Sequence, residues 1–460
     1  MILHRPGRIR VAAALVLALT LSACGAGMGS SGKGGSPSAE GPFNWRRYEG
    51  QTISVMLNEH PWTNGLKKHL PEFEQLTGIK VQLNTYSEDL YMDKMEQALR
   101  SSSPPGVYMV PMDDFAATQF QAGLMEPLTP FLNNPSLTTG DYDFSDFPKG
   151  LVDPAYFPAG AADARLYEIP ISTESYILFY NKDLVNKYLG GVLPTTMQDL
   201  IAAAQSITAQ GGGQVYGSVM RGVRSDTVRD TLTGLVLNEW PLDRPIQAPY
   251  NVWFDGSWSN PRLTDPSIVA GLSDYAKLLA AGPPNKFNID WYDATALFQQ
   301  GKVAFFIDAS VFGPGFEDPS QSTVAGKVGY APLPRGNVQG GTGVWSWGLA
   351  MGANAQNKGA SWLFLQWATG KDMTAAIGAS TGGAPRQSAA TNPAYTAALN
   401  PDYVTVAAKA ASTARTTAVI RANWKEGLYV IVDAMLAMAN GQDPNETASK
   451  ANQQMRSVIQ

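Results

Sequence analysis

The sequence predicts an α/β protein whose mostly parallel sheets are flanked by helices, and three observations carry that reading. Between residues 52 and 110, stretches that alternate apolar and polar residues are followed by stretches with apolar residues at helical spacing, giving strand–helix–strand–helix–strand. A second series of the same kind follows Tyr176–Tyr180. The 460 residues are 44% hydrophobic, enough for two to four units of roughly 100–200 residues with real cores.

Taken in order, Thr52–Leu57 alternates as a strand, and Leu66, Leu70, Phe73 and Leu76 recur as on a helix that Gly78 stops. Pro71 falls inside that segment and counts against its first turn. Ile79, Val81 and Leu83 alternate again, Tyr91–Leu99 has helical spacing, and Val107–Val110 is a short buried strand. In doubly wound sheets ligands gather beyond the carboxyl ends of the strands. That rule points to Asn58-Glu59-His60-Pro61-Trp62 and to Pro111-Met112-Asp113-Asp114. Further on, Thr196 with Asp199 opens a helix to about Thr208, Val215–Met220 is a strand, and Asp265-Pro266 starts a helix to about Ala281. Ala294–Gln300 is helical and feeds the strand Val303–Ile307. Val328–Leu333 and Trp345–Met351 are strand-like, and helices are expected at Lys358–Thr369, Trp424–Ala439 and Pro444–Val458. No internal repeat of 20–50 residues is visible.

The N-terminus carries an address. Arg5, Arg8 and Arg10 precede an apolar run, Val11–Ala23, too short to span about 30 Å of hydrocarbon but suited to a signal peptide over 1–23. It ends Leu21-Ser22-Ala23-Cys24, a lipobox-like sequence in which Cys24 becomes the lipid-modified first residue. Cys24 is the only cysteine, so it cannot form an internal disulfide. Residues 24–45 form a Gly/Ser-rich tether, and Gly27, Gly29 and Gly32 spell a GxGxxG that neither follows a strand nor opens a helix. Removing 1–23 takes the net charge from -5 to -8, and no basic stripe suits a nucleic-acid backbone or an anionic membrane. The membrane is reached through the lipid anchor alone, on its outer face.

Catalytic chemistry finds little support. His60 and His69 are the only histidines after the leader, and no metal or cofactor is expected. Asp141-x-Asp143-x-Ser145 starts like a calcium loop but lacks its Gly and its final Glu. There is no GxSxG elbow, although two carboxylates for a glycoside hydrolase can never be excluded by composition. Trp253, Phe254, Trp258, Trp345 and Trp347 stand in strand-end or Gly/Pro/Asn-rich contexts, where indoles can meet the C–H faces of sugars and polyols. Trp345 and Trp347, two apart on one strand, are expected on one face. Trp362 and Trp367 are expected in a core.

Distributed motifs sharpen this picture. They are Leu70-Pro71-Glu72-Phe73-Glu74 with Thr77-Gly78-Ile79, Tyr180-Asn181-Lys182-Asp183-Leu184, Leu193-Pro194-Thr195-Thr196, Phe298–Ala304, Val328-Gly329 to Pro334, and Lys358 to Trp367. Through them the chain, over about 50–460, resembles the extracellular solute-binding proteins of ABC sugar importers, the family that includes maltose-binding protein. Phe306-Ile307-Asp308-Ala309, Gly315–Pro319, Val344–Ala350, Met220-Arg221-Gly222 and Trp253-Phe254-Asp255 are most similar to the sorbitol/mannitol binders. Glu59-His60-Pro61-Trp62 and Ala384-Pro385-Arg386 depart from them. The resemblance implies a two-lobe periplasmic-binding-protein-like fold of type II, closing about a hinge on a ligand in the cleft. Lobe one would take 46–165 and 310–375, and lobe two 166–309 and 376–460, with crossings at Tyr167–Ser172 and Asp308–Phe312. It implies a monomer that is not an enzyme and that delivers a polyol or small sugar to ABC permease subunits. The candidate ligand residues are Glu59, His60, Trp62, Asp113, Glu174, Arg221, Trp253, Asp255, Asp308, Trp345, Trp347 and Arg386. An oligosaccharide binder of the same family is the alternative, ahead of a secreted glycoside hydrolase.

Overall fold

The structure is a computed structural model that describes residues 39–459 apart from Ala248. The expected signal peptide, Cys24 and most of the expected tether lie outside the described residues. Residues 39–459 form one compact unit. Its strands, in chain order, begin with β1 (Thr52–Asn58), β2 (Lys80–Tyr86) and β3 (Val107–Pro111). A small hairpin, β4 (Tyr156–Phe157) and β5 (Arg165–Leu166), precedes β6 (Glu168–Pro170) and β7 (Glu174–Asn181). Next come β8 (Tyr216–Val219), β9 (Val303–Ala309), β10 (Val328–Ala331), β11 (Thr342–Trp345), β12 (Trp347–Ala350) and β13 (Ala414–Thr416).

Two sheets organise the two lobes. The first has order β2-β1-β3-β12-β6; the second runs β13-β11-β7-β9-β8, with β10 also paired to β7. The β2-β1-β3 part is parallel, as the alternation of strands and helices requires, while β12 and β6 join antiparallel. Central strands are apolar throughout: β3 and β9 are buried at every residue, as strands covered on both faces must be.

The helix expected from Leu66 to Leu76 is two helices, Pro61–Lys67 and Leu70–Thr77. His69 is the residue before the second one and bonds Glu72 at 2.9 Å, so it occupies a junction instead of the middle of a helix. Pro71 sits in the first turn, where its missing N–H costs nothing, and Gly78 ends the helix at φ 70°. Thr196 caps the helix Met197–Gln210 by accepting from the Asp199 N–H, and Asp265 caps Pro266–Ala280.

The division of the chain differs from expectation. The first crossing lies between β6 and β7. After β9 the chain does not leave the second lobe for good, because β10 and β11 both pair with β7. It crosses at Ser346 instead, a single residue between β11 in one sheet and β12 in the other. The segment 310–375 therefore contributes to both lobes. The boundary at 376 falls inside the helix Lys371–Thr381, which packs against Pro61–Lys67 in the first lobe. Trp345 and Trp347 consequently belong to different strands and sheets, although their rings still meet edge to face at 6.2 Å.

One close approach fixes the position of the helix Arg229–Asn238. It lies directly on β11 and β7 because Gly234 and Gly343 face each other without side chains. A Cβ on Gly343 would stand 2.6 Å from Thr417 Cγ2 and 3.0 Å from the Gly234 Cα. Gly343→Val should therefore lower stability by about 1–3 kcal/mol through overpacking, measured by urea unfolding. An unchanged midpoint would show that the helix can move away freely.

Candidate functional site

The cleft is built from loops at the carboxyl ends of strands, where the sheets converge. After β1, the loop carries His60, which caps the helix Pro61–Lys67 by accepting from the Trp62 N–H at its Nδ1, 3.2 Å. Its Nε2 lies 3.2 Å from Glu174 Oε1, at the first residue of β7 just past the crossing. Ser172 donates to the same carboxylate oxygen at 2.8 Å. The His60 and Trp347 rings are 5.9 Å apart. One lobe-one loop, the crossing segment and the start of β12 thus meet in a buried polar contact.

After β3, Asp113 caps the helix Asp114–Gln121 and accepts from the Phe115 N–H at 2.8 Å. From the opposite lobe, Arg229 at the start of its helix reaches both acids. Its guanidinium lies 2.6 Å from Asp113, 2.7 Å from Asp114 and 3.2 Å from its neighbour Asp230. The Asp113 contact is an ion pair without hydrogen-bond alignment. The guanidinium also stands 4.6 Å over the Trp345 ring. All four charged groups are buried. Burial pushes the Asp113 carboxyl well up, with Asp114 adding to the shift and Arg229 opposing it. Burial likewise raises Asp230 to about 7 against the pull of Arg229.

A second arginine is fully engaged. Arg221 donates to both Asp308 oxygens at 2.8 and 2.5 Å and to the Thr227 carbonyl at 2.7 Å. Asp308 also accepts from the Ala309 N–H at 2.7 Å and from Thr231 at 3.3 Å. Its expected role as an acceptor of ligand hydroxyls is therefore corrected: its oxygens are taken, and it positions Arg221. Near Arg221 stands Glu88, at the first turn of the helix after β2, accepting from Trp291 Nε1 across the cleft at 2.5 Å. Part of Glu88 reaches solvent, but closure around it pushes the carboxyl up to about 7, burial outweighing the nearby Arg221.

Other expected residues lie elsewhere. Trp62 is buried in the core, on the helix that His60 caps. Trp253 is core in lobe two, and Asp255 is exposed, 3.3 Å from Arg262 on an outer face. Arg386 is buried in lobe one, donating to the carbonyls of Thr369 and Asp143 and stacking on Tyr142 and Phe147. Each aromatic or charged motif was real, but packing claimed it. Glu59 lies at the cleft mouth, its carbonyl accepting from Tyr292 at 3.1 Å. A cavity of about 730 Å³ opens there, between the helices Pro61–Lys67 and Trp291–Gln299; Glu59, His60, Trp291, Tyr292 and Phe312 line it. It is lined by His60 but not by Asp113, Arg229 or Trp345.

The sequence reading missed Glu88, Arg229, Asp230 and Trp291. Glu88 follows β2 as His60 follows β1, so the strand-end rule extended to β2 would have found it. Arg229-Asp230 is a charged doublet opening an otherwise uncharged helix, and that was its one signal. Among the described residues no group of three or more His, Cys, Asp or Glu forms a metal site, and no helix is long and apolar enough to cross a membrane.

Comparison with known proteins now decides the family. The pattern of the bacterial extracellular solute-binding proteins matches residues 59–375. The chain belongs to this family. Its relatives include an erythritol/L-threitol-binding protein of Mycolicibacterium smegmatis, 29% identical over 349 residues, 74% of this chain and 70% of the relative. A mannitol-binding protein of Pseudomonas aeruginosa is 32% identical over 208 residues, 44% of this chain and 45% of the relative. Solved structures share the two-lobe fold of this solute-binding protein. A ribitol complex of an ABC transporter solute-binding protein from Agrobacterium radiobacter K84 has a TM-score of 0.73 at 23% identity, covering 89% of this chain and 99% of that one. Maltose-bound MalE3 of T. maritima also gives 0.73, at 20% identity, covering 88% and 99%.

The raised acids give this solute-binding protein a pH signature. Glu88 and Asp230 keep protons in the folded state up to about 7 that the unfolded chain releases near the usual carboxylate values. Stability they contribute is present at low pH and lost as pH rises through that window. The melting temperature should fall from pH 4.5 to about 7 and then level, and Glu88→Gln should flatten part of the slope. An identical slope in the variant would show that Glu88 does not titrate there.

Proposed function

We propose that this solute-binding protein captures a linear polyol by closing its two lobes and delivers it to the permease of an ABC importer. The observation that carries the reading is the floor of the cleft. Two indoles from adjoining strands, Trp345 and Trp347, stand among carboxylates and a histidine contributed by both lobes: His60, Glu88, Asp113, Asp114 and Glu174. A polyol offers hydroxyls along its whole length and C–H faces between them. Polar groups among these take the hydroxyls, a bond to a charged acceptor being worth about 1.5–3 kcal/mol, and indole faces cover the carbons. The relatives named for erythritol, threitol and mannitol favour a polyol over an oligosaccharide, although neither name identifies the solute of this chain.

The anchor belongs to the same reading. A lipid on Cys24 would hold a monomeric receptor at the outer membrane face, with residues 24–45 as tether. Several acyl chains hold a protein stably where a single chain does not. Cys24→Ser should yield protein released from the membrane or left with its leader. A processed, membrane-bound Cys24→Ser protein would rule the lipid anchor out.

A thermal-shift series over tetritols, pentitols, hexitols and disaccharides tests the solute. At 100 times its dissociation constant a ligand adds about 2.7 kcal/mol of stability. Stabilisation by at least one alditol and by no disaccharide is expected. Calorimetry with that alditol should show Trp345→Ala weaker by tenfold or more, about 1.4 kcal/mol. Response to disaccharides alone would overturn the polyol assignment.

A further inference from the structure

We propose that Ser172, in the first crossing between the lobes, is a positioning residue of the solute site: it fixes one oxygen of Glu174 and leaves the other to accept a solute hydroxyl. The inference deepens the reading of the cleft as a polyol site and rests on it. This buried serine makes three bonds. Its hydroxyl donates to Glu174 Oε1 at 2.8 Å and accepts from the Trp347 N–H at 3.3 Å. Its carbonyl accepts from the Ser346 hydroxyl at 2.7 Å. A serine hydroxyl has a single proton to give. With the Trp347 N–H on its oxygen, that proton is aimed at Glu174. The partners belong to the crossings themselves: Ser346 separates β11 from β12, Trp347 begins β12 and Glu174 begins β7. The backbone on either side of Ser172 is held too, the Ile171 N–H donating to the Trp347 carbonyl at 2.8 Å and the Thr173 N–H to the Gly383 carbonyl at 2.7 Å.

The two oxygens of Glu174 are used differently. His60 Nε2 lies 3.2 Å from the same Oε1 that Ser172 bonds. Because His60 Nδ1 accepts the Trp62 N–H, it carries no proton, and the proton of the neutral ring sits on Nε2, facing the carboxylate. Donors from the crossing and from the loop after β1 thus converge on Oε1. Oε2 accepts from none of the described residues and is not sealed off. Glu174 pairs directly with Trp345 across β7 and β11, which places both side chains on one face of the sheet. A fixed acceptor beside an indole matches one hydroxyl of a polyol and the C–H face next to it. A free glutamate has several side-chain torsions to freeze on binding. One already held at Oε1 has lost that freedom beforehand, so less is lost when the solute arrives.

The test is calorimetry of the full mature protein with erythritol, ribitol, D-mannitol and maltose as probes. For a probe that binds the wild type, Ser172→Ala should weaken binding about tenfold, or 1.4 kcal/mol, with the melting temperature of the solute-free protein close to wild type. Ser172→Thr, which keeps the hydroxyl, should recover most of the loss. In a Glu174→Ala background the same Ser172→Ala change should alter binding by less than about twofold, because the serine acts through the carboxylate. A serine that merely packs would subtract the same factor in both backgrounds. Should Ser172→Ala fail to fold, Ser346→Ala takes its place; it frees the Ser172 carbonyl, and a loss of about threefold is expected, the low end of what one hydrogen bond contributes. Wild-type affinity in the variant measured, or an equal loss with and without Glu174, would overturn the proposal, as would a wild type that binds none of the four probes. Binding of maltose alone would sink the polyol reading, yet the same cycle run with maltose would still decide for or against Ser172.

Discussion

Charge buried at the meeting of two lobes has to be matched, and that requirement organises the cleft. A guanidinium or carboxylate taken from water costs several kcal/mol unless partners meet it. Arg221 meets this condition within one lobe, through both oxygens of Asp308 and the Thr227 carbonyl. Arg229 meets it with acids from both lobes, Asp113 and Asp114 across the cleft and Asp230 beside it. The first arginine is therefore part of a wall, and the second bridges the two lobes. The same sorting applies to aromatic rings. Trp253 and Trp362 are consumed by cores, whereas Trp345 and Trp347 stand where the chain steps from sheet to sheet.

Much of the fold was legible in the sequence because local rules and the tertiary structure agree. β1, β2 and β3 and their helices follow from apolar alternation, caps and Gly78, and their parallel pairing follows from the intervening helices. The illegible part was pairing at long range. Nothing local distinguishes Trp345–Met351 as one strand from β11 and β12 as two, since the break at Ser346 carries neither Gly nor Pro. Its hydroxyl donates to the Ser172 carbonyl at 2.7 Å, so the two crossings are tied to each other by a bond that no spacing rule anticipates.

The site was legible to the extent that strand ends announce it. His60, Asp113 and Glu174 each lie at or beside a strand terminus and converge in the structure. Arg386, Asp255 and Trp253 were chosen by residue type and motif, and residue type does not tell a ligand contact from a structural one. Arg386 shows the difficulty best: a buried arginine with aromatic neighbours suits a sugar site, yet its donors meet the Thr369 and Asp143 carbonyls inside one lobe. Arg229 was invisible for the complementary reason. Its partners include two acids more than a hundred residues earlier, which only the folded chain brings near.

The placement of β12 has a bearing on how such a chain is made. In the first sheet, β12 lies between β3 and β6, pairing Trp347 with Pro111 and Gly348 with Pro170. A chain emerging N-terminus first thus presents β3 with one edge uncovered until some two hundred residues more have appeared. An open strand edge is a site for mispairing, and contacts this distant in sequence form slowly because a long loop must close first. Neither lobe is a unit that can be completed and set aside. In an extracytoplasmic protein of this topology, the first sheet is completed only after the last crossing has been passed.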